Sequence, residues 1–199
     1  MRTSSVLVVA LMASLALGAN QALAAPVSLT IDADHSSVGF SVRHLFTRVQ
    51  GMFRQFKGTV SFDEADPSAS SVSATIQTAS IDTNLEARDK DLRSARFFDA
   101  EKFPNLTFVS KSVTKTSARK FQIAGTLTMH GISKDVALET EFFGKGKDPW
   151  GSVRYGFRAT TTVNRKDFGM QWNEALETGG VLVGDEVEIT LDIDGIAKE

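Results

Sequence analysis

Along most of the chain, apolar and polar positions alternate one by one, the period of a strand with one buried face. The runs begin with Val27 to Asp32. In Val38 to His44, Val38, Phe40, Val42 and His44 share a face opposite Gly39, Ser41 and Arg43. Gly51-Met52-Phe53 and Gln55 to Asp63 follow, the latter placing Gly58, Val60 and Phe62 together. Ser71 to Ala79 then alternates on Val72, Ala74 and Ile76. Further on, Leu106 and Phe108 oppose Thr107 and Val109, and a long run sets Phe121, Ile123, Gly125, Leu127 and Met129 against polar neighbours. In Lys134 to Phe143, Val136, Leu138 and Phe142 share a face, and Gly144 to Pro149 reads as a turn. Val153 to Val163 and Val183 to Ile193 complete the set. About eight to nine one-sided strands predict an antiparallel all-β sheet, and closure into a barrel removes its exposed edges. A sandwich produces the same alternation, so periodicity leaves that alternative open.

Two stretches break the rhythm. In Ile81 to Phe108, Thr83 or Asn84 is placed to cap a helix. Leu85, Asp89, Leu92 and Arg96 then fall at i, i+4, i+7 and i+11, one helical face. Phe97, Phe98 and Phe103 come next, and Pro104 ends the helical pattern. The expectation is a short helical lid near residues 84–103 that covers one end of the β structure with phenylalanines. Asn164 to Gly180 is a second excursion, carrying Phe168, Met170 and Trp172.

Before the strands, Met1 and Arg2 precede a 12-residue apolar run, Val6 to Leu17, and then Ala22-Leu23-Ala24. A basic start, a short apolar core and an A-x-A site predict a secretory signal peptide cleaved after Ala24, and the apolar run is too short to span a bilayer. The expected mature domain is residues 25–199, of 199 − 24 = 175 residues, with a net charge of 21 − 24 = −3. That sign argues against a nucleic-acid surface. With no cysteine in the chain, disulfides, thiol catalysis and thiolate metal sites are excluded. No long apolar segment follows the leader, so no integral membrane segment is expected after cleavage.

Candidate chemistry is sparse. His35, His44 and His130 are the only histidines, and no two of them stand at ligand spacing on one element. His35 and His130 adjoin turns, where backbone bonding suits them, whereas the period of its strand lets His44 face inward toward a ligand headgroup. Asp34-His35-Ser36 holds the residue types of a triad, but adjacent residues on an extended chain point apart. Gly-x-Ser-x-Gly and Gly-rich phosphate loops are absent. Asp89, Asp91, Glu174 and Glu177 form no clear acid–base pair, and Arg88 with Asp89 suits a structural ion pair. No catalytic residue, metal site or cofactor is expected, and the protein reads as a non-enzyme.

The sequence resembles the YceI-like family of periplasmic polyisoprenoid-binding proteins. The matching blocks run through Asp34-His35-Ser36 to Phe40, His44, GMFRQFKG at 51–58 and SIDTNLEARDKDLRS at 80–94. They continue through FFDAEKFPNLTF at 97–108, GTLTMHGISKDV at 125–136, NRKDFGM at 164–170 and VGDEVEI at 183–189. Arg96 stands where the family usually has an acidic residue. The resemblance implies a lipocalin-like antiparallel β-barrel of about eight strands whose elongated apolar pocket holds a polyisoprenoid, such as an isoprenoid quinone. It further implies a carrier or store in the periplasm, and a family in which homodimers occur. The preponderance of 14 Phe over one Tyr fits an interior selected for apolar contact. The ligand-contacting set expected from the strands is Phe40, Val42, His44, Phe53, Phe108, Leu127, Met129, Phe142 and Phe157. From the two excursions, Leu85, Leu92, Phe97, Phe98, Phe103, Phe168 and Trp172 join it. Two rival readings are a secreted, stress-related interaction protein with a side-chain-filled barrel and a lipid-modifying enzyme. The first requires an exposed apolar patch, the second His44 or His130 beside an acidic partner.

Overall fold

A computed structural model describes residues 25–177 and 179–198. The expected signal peptide, 1–24, lies outside the described residues.

Among the described residues, eleven strands form one antiparallel sheet. They are β1 (Val27–Ile31), β2 (Ser37–His44), β3 (Thr47–Phe53), β4 (Phe56–Phe62), β5 (Ser71–Gln77) and β6 (Ile81–Asp82). After the helix α1 (Glu86–Arg93) come β7 (Asn105–Lys115), β8 (Lys120–Met129), β9 (Ile132–Lys147), β10 (Val153–Asn164) and β11 (Val183–Ala197). The first six are three long strands, each broken once. β1 and β2 lie end to end along β11, which pairs with β2 from Val183 to Asp192 and with β1 from Gly195 to Ala197. β3 and β4 in turn lie along β2 and β1, while β6 and β5 lie along β3 and β4. Counted this way, eight strands pair each with its chain neighbours, and the β1–β11 pairing closes the ring. Closure resolves the choice between barrel and sandwich in favour of the barrel.

The alternation sets which side chains enter the lumen. β8 alternates strictly between buried positions and exposed or half-buried ones, with Phe121, Ile123, Leu127 and Met129 inside. Its register aligns Leu127 with Phe108 of β7, and Ile123 with Leu138 of β9. Gly125 is a glycine because Phe108 lies flat across it. A Cβ there would stand 2.5 Å from the Phe108 ring and 2.6 Å from the Val109 carbonyl oxygen.

Several local expectations change. The helix begins at Glu86 with Leu85 in the capping position and no side-chain cap bond, so neither Thr83 nor Asn84 caps it. Thr83 instead gives its own N–H and hydroxyl to the buried carboxylate of Asp89, and Asn84 takes a positive φ of 60°. The helix ends at Arg93, where Ser94 turns back on Asp91, so Arg96 lies beyond it. β9 runs through the Gly/Lys stretch to Lys147, and the turn falls at 148–152, tied by Asp148 to the Trp150 and Ser152 amides. The Gly51–Phe53 run is the end of a full hairpin strand beginning at Thr47.

The break between β1 and β2 is held from outside the barrel by Arg154. Its guanidinium meets Asp32 at 2.8 Å, Asp148 at 2.8 Å and Asp194 at 3.2 Å. The hydrogen bond from Arg154, helped by His35, holds the Asp32 carboxyl down at about 2. A carboxyl depressed in the folded state stabilises it fully above the ordinary carboxylate range near pH ~4. That contribution is lost as pH falls through the folded value. Arg154→Gln is therefore expected to lower the urea midpoint at neutral pH, with the deficit relative to wild type shrinking from about pH 4 down to about pH 2. A deficit constant across that window would show that Arg154 does not act through these carboxylates.

Candidate functional site

The barrel encloses a cavity of about 240 Å³, slightly below the ~300–1,000 Å³ typical of small-molecule pockets. Its wall is built by inward residues of every long strand, including Val38 and Phe40, Ala74 and Ile76, Ile123 and Leu127, and Ile189 and Leu191. Ser70, Thr140, Thr161 and Arg165 are the lining residues with polar side chains. Three of them bond to the protein: Ser70 accepts the Asp63 amide, the Thr140 hydroxyl reaches the Leu138 carbonyl at 3.5 Å, and the Arg165 guanidinium points at backbone carbonyls. A lumen walled almost wholly by hydrocarbon favours an apolar occupant.

The two ends are closed differently. At one, Phe62 sits among Phe142, Phe157, Phe121 and Tyr155, with ring centroids 5.0, 5.2, 6.0 and 6.2 Å away. All five rings are buried. Edge-to-face and tilted packing of this kind makes a rigid floor. At the other end, the chain leaves the sheet after β6 and returns at β7, and the segment between forms the lid. Phe98 meets Phe53 edge-on at 5.7 Å, and Phe97 meets Trp172 at 5.2 Å. Arg96 lies 4.5 Å over the Trp172 ring and pairs with Asp91, so the basic residue at this position finds both an aromatic face and a carboxylate. Backbone latches complete the attachment. Thr78 donates to the Phe103 carbonyl at 2.7 Å, and Arg93 donates to the Ala79 and Ile81 carbonyls.

Of the residues expected to contact ligand, Phe40, Val42, Phe53, Leu92, Phe97, Phe98, Phe108, Leu127, Met129 and Phe157 line this one cavity. Six lie elsewhere. Leu85 is 51% exposed at the helix start, and Phe142 stands behind the floor rings rather than in the wall. Phe103 packs on His130 outside the lumen, and Trp172 backs Phe97. Phe168 is fully buried in the 3₁₀ turn Arg165–Phe168. His44 ends β2 opposite Thr47 and Val183 and is not among the lining residues, although Val183 is. The other histidines make local bonds, His35 to Asp32 at 2.8 Å and His130 to the Phe168 carbonyl at 3.0 Å. Among the described residues, no cluster of three His, Asp or Glu side chains could hold a metal, and no helix is long and apolar enough to cross a membrane.

Sequence reasoning missed the aliphatic half of the wall, Val187, Ile189, Leu191 and Ile193, although their period of two was plain. It also missed Phe62, which shares a face with Val60, and the buried Arg165. Arg165 donates to the Gly184, Met170 and Trp172 carbonyls and to Asp185, tying the second excursion to the start of β11. Burial pushes its pKa down, and Asp185 draws it back up. Only the NRKDFGM block hinted at such a role.

The YceI-like domain model matches residues 29–195. Protein YceI of Salmonella arizonae is 40% identical over 189 residues, covering 94% of this chain and 95% of that protein. The crystal structure of Burkholderia cenocepacia BcnA superposes with a TM-score of 0.74 at 25% identity, over 82% of this chain and 98% of that one. A polyisoprenoid binding domain from Saccharophagus degradans, implicated in plant cell wall breakdown, superposes with a TM-score of 0.63 over 86% of this chain and 99% of that one. At 14% identity, that last likeness is one of fold.

The Asp89 carboxylate is the lid's internal anchor, 4% exposed and bonded to the Thr83 amide at 2.9 Å. Asp89→Ala leaves that amide without its acceptor and is expected to cost about 1–3 kcal/mol. Hydrogen–deuterium exchange should rise across residues 84–103 while the β8–β9 amides stay protected. Unchanged protection in the lid would mean that Asp89 does not hold it.

Proposed function

The chain belongs to the YceI-like family, and on that premise we propose that it carries or stores an isoprenoid lipid in the periplasm. The observation that carries the reading is the lumen itself: long, walled by hydrocarbon, closed at one end by aromatic rings and covered at the other by a separate segment. Supporting it are the polyisoprenoid binding domain among proteins of the same fold and the leader-like N-terminus. Isoprenoid quinones are the specific ligands we favour, with the prenyl tail along the barrel axis and the ring toward the lid.

Affinity on this account comes from the tail. Each isoprene unit buries about five carbons at ~0.8 kcal/mol, roughly 4 kcal/mol gross. About four units, ~16 kcal/mol gross, exceed the ~4–15 kcal/mol cost of association without any polar anchor. The reading needs no catalytic group, and His44 and His130 stand outside the lining.

The test is native mass spectrometry of the mature protein purified gently from its native source, followed by solvent extraction. The expected result is a discrete added mass that extracts as a prenyl lipid. A clean unliganded mass, unchanged after incubation with prenyl quinones, would overturn the proposal.

A further inference from the structure

Granted the lipid-holding reading above, the geometry points to Phe62 as a chain-length ruler: the residue on which the far end of the prenyl tail stops, and which fixes the longest chain the barrel accepts. Phe62 is the last residue of β4, where its register partner Val27 opens β1. There it projects into the lumen with four aromatic rings around it at 5.0–6.2 Å. Phe121 and Phe157 face the lumen beside it, while Phe142 and Tyr155 stand behind. The backing rings pack on one another, with Phe142 stacked at 6.2 Å on Tyr155 and tilted at 5.1 Å on Phe157. Phe62 is therefore backed by a packed layer of rings on the side away from the cavity.

The direction of the tail follows from burial and polarity. Every floor ring is under one-tenth exposed, whereas Leu92 and Phe98 of the lid are only partly buried. The polar side chains that line the cavity near the floor bond to the protein: Ser70 accepts the Asp63 amide at 2.9 Å, and the buried Thr140 hydroxyl turns to the Leu138 carbonyl at 3.5 Å. A headgroup placed at the floor would be left unpaired, so the hydrocarbon terminus belongs there and the polar end at the lid. The step size follows from carbon counts. Replacing Phe by Ala removes a ring of about six carbons, close to the five of one isoprene unit.

The experiment is competition binding, read by native mass spectrometry, of a homologous series of all-trans prenyl alcohols lengthening one isoprene unit at a time. It compares wild type, Phe62→Ala and Phe62→Trp. The expected outcome is a sharp cut-off in wild type that moves one unit longer in Phe62→Ala and at least one unit shorter in Phe62→Trp. Should Phe62→Ala fail to fold, the shortening in Phe62→Trp still decides. A wild-type cut-off that the folded variants leave in place overturns the ruler and leaves the lipid-holding reading standing. Wild-type protein that retains no prenyl chain overturns both.

Discussion

The constraint on which the structure depends is closure of a one-sided sheet. Each strand offers one apolar face, and once β1 pairs with β11 all those faces point at a shared axis. An eight-stranded ring has an interior whose width is set by the backbone, whatever side chains it receives. Valine, isoleucine and leucine on β2, β8 and β11 are too short to meet across it, and what remains is a lumen. The cavity is thus a consequence of strand count and side-chain size together, and it needs no special device along its walls.

The ends do need devices, because a barrel's strands cannot cap it. At the floor, aromatic residues from three strands converge on Phe62 of a fourth and fill the cross-section. At the opposite end the chain abandons strand geometry between β6 and β7 and lays a short helix and two phenylalanines across the opening. That segment is held by polar bonds to backbone carbonyls and by aromatic contacts to Trp172 and Phe53, rather than by a ladder. Ladders open only with the sheet, whereas a few side-chain bonds can open locally. On the proposed function, this difference makes the lid end the route for an apolar ligand and the floor its stop.

Much of this was legible in the sequence. Period-two alternation from Phe121 to Met129 and from Val153 to Val163 located the strands and their inner faces, because in a barrel nothing competes with that pattern. Break positions were less legible. β1 and β2 read as separate strands, and it is their end-to-end pairing along β11 that shows them to be one interrupted run, held at the break by Arg154 with Asp32, Asp148 and Asp194. Capping misled as well: Thr83 and Asn84 are good cap residues, but the buried Asp89 carboxylate drew Thr83 away from the helix axis. For the cavity, phenylalanines were easy to nominate and aliphatics were not. Phe142 and Phe62 look alike in sequence, yet one backs the floor and the other faces the lumen, a distinction set by packing across non-adjacent strands. Trp172 and Phe103 sit one layer outside the cavity for the same reason.

The most direct measurement of the central claim is a crystal structure of the protein reconstituted with a prenyl quinone. The account predicts continuous density for the tail along the barrel axis from the lid rings Phe97 and Phe98 to Phe62, with the quinone ring at the lid and the floor rings unmoved. Density for the ligand on the outer surface, with wall side chains repacked to fill the lumen, would contradict it.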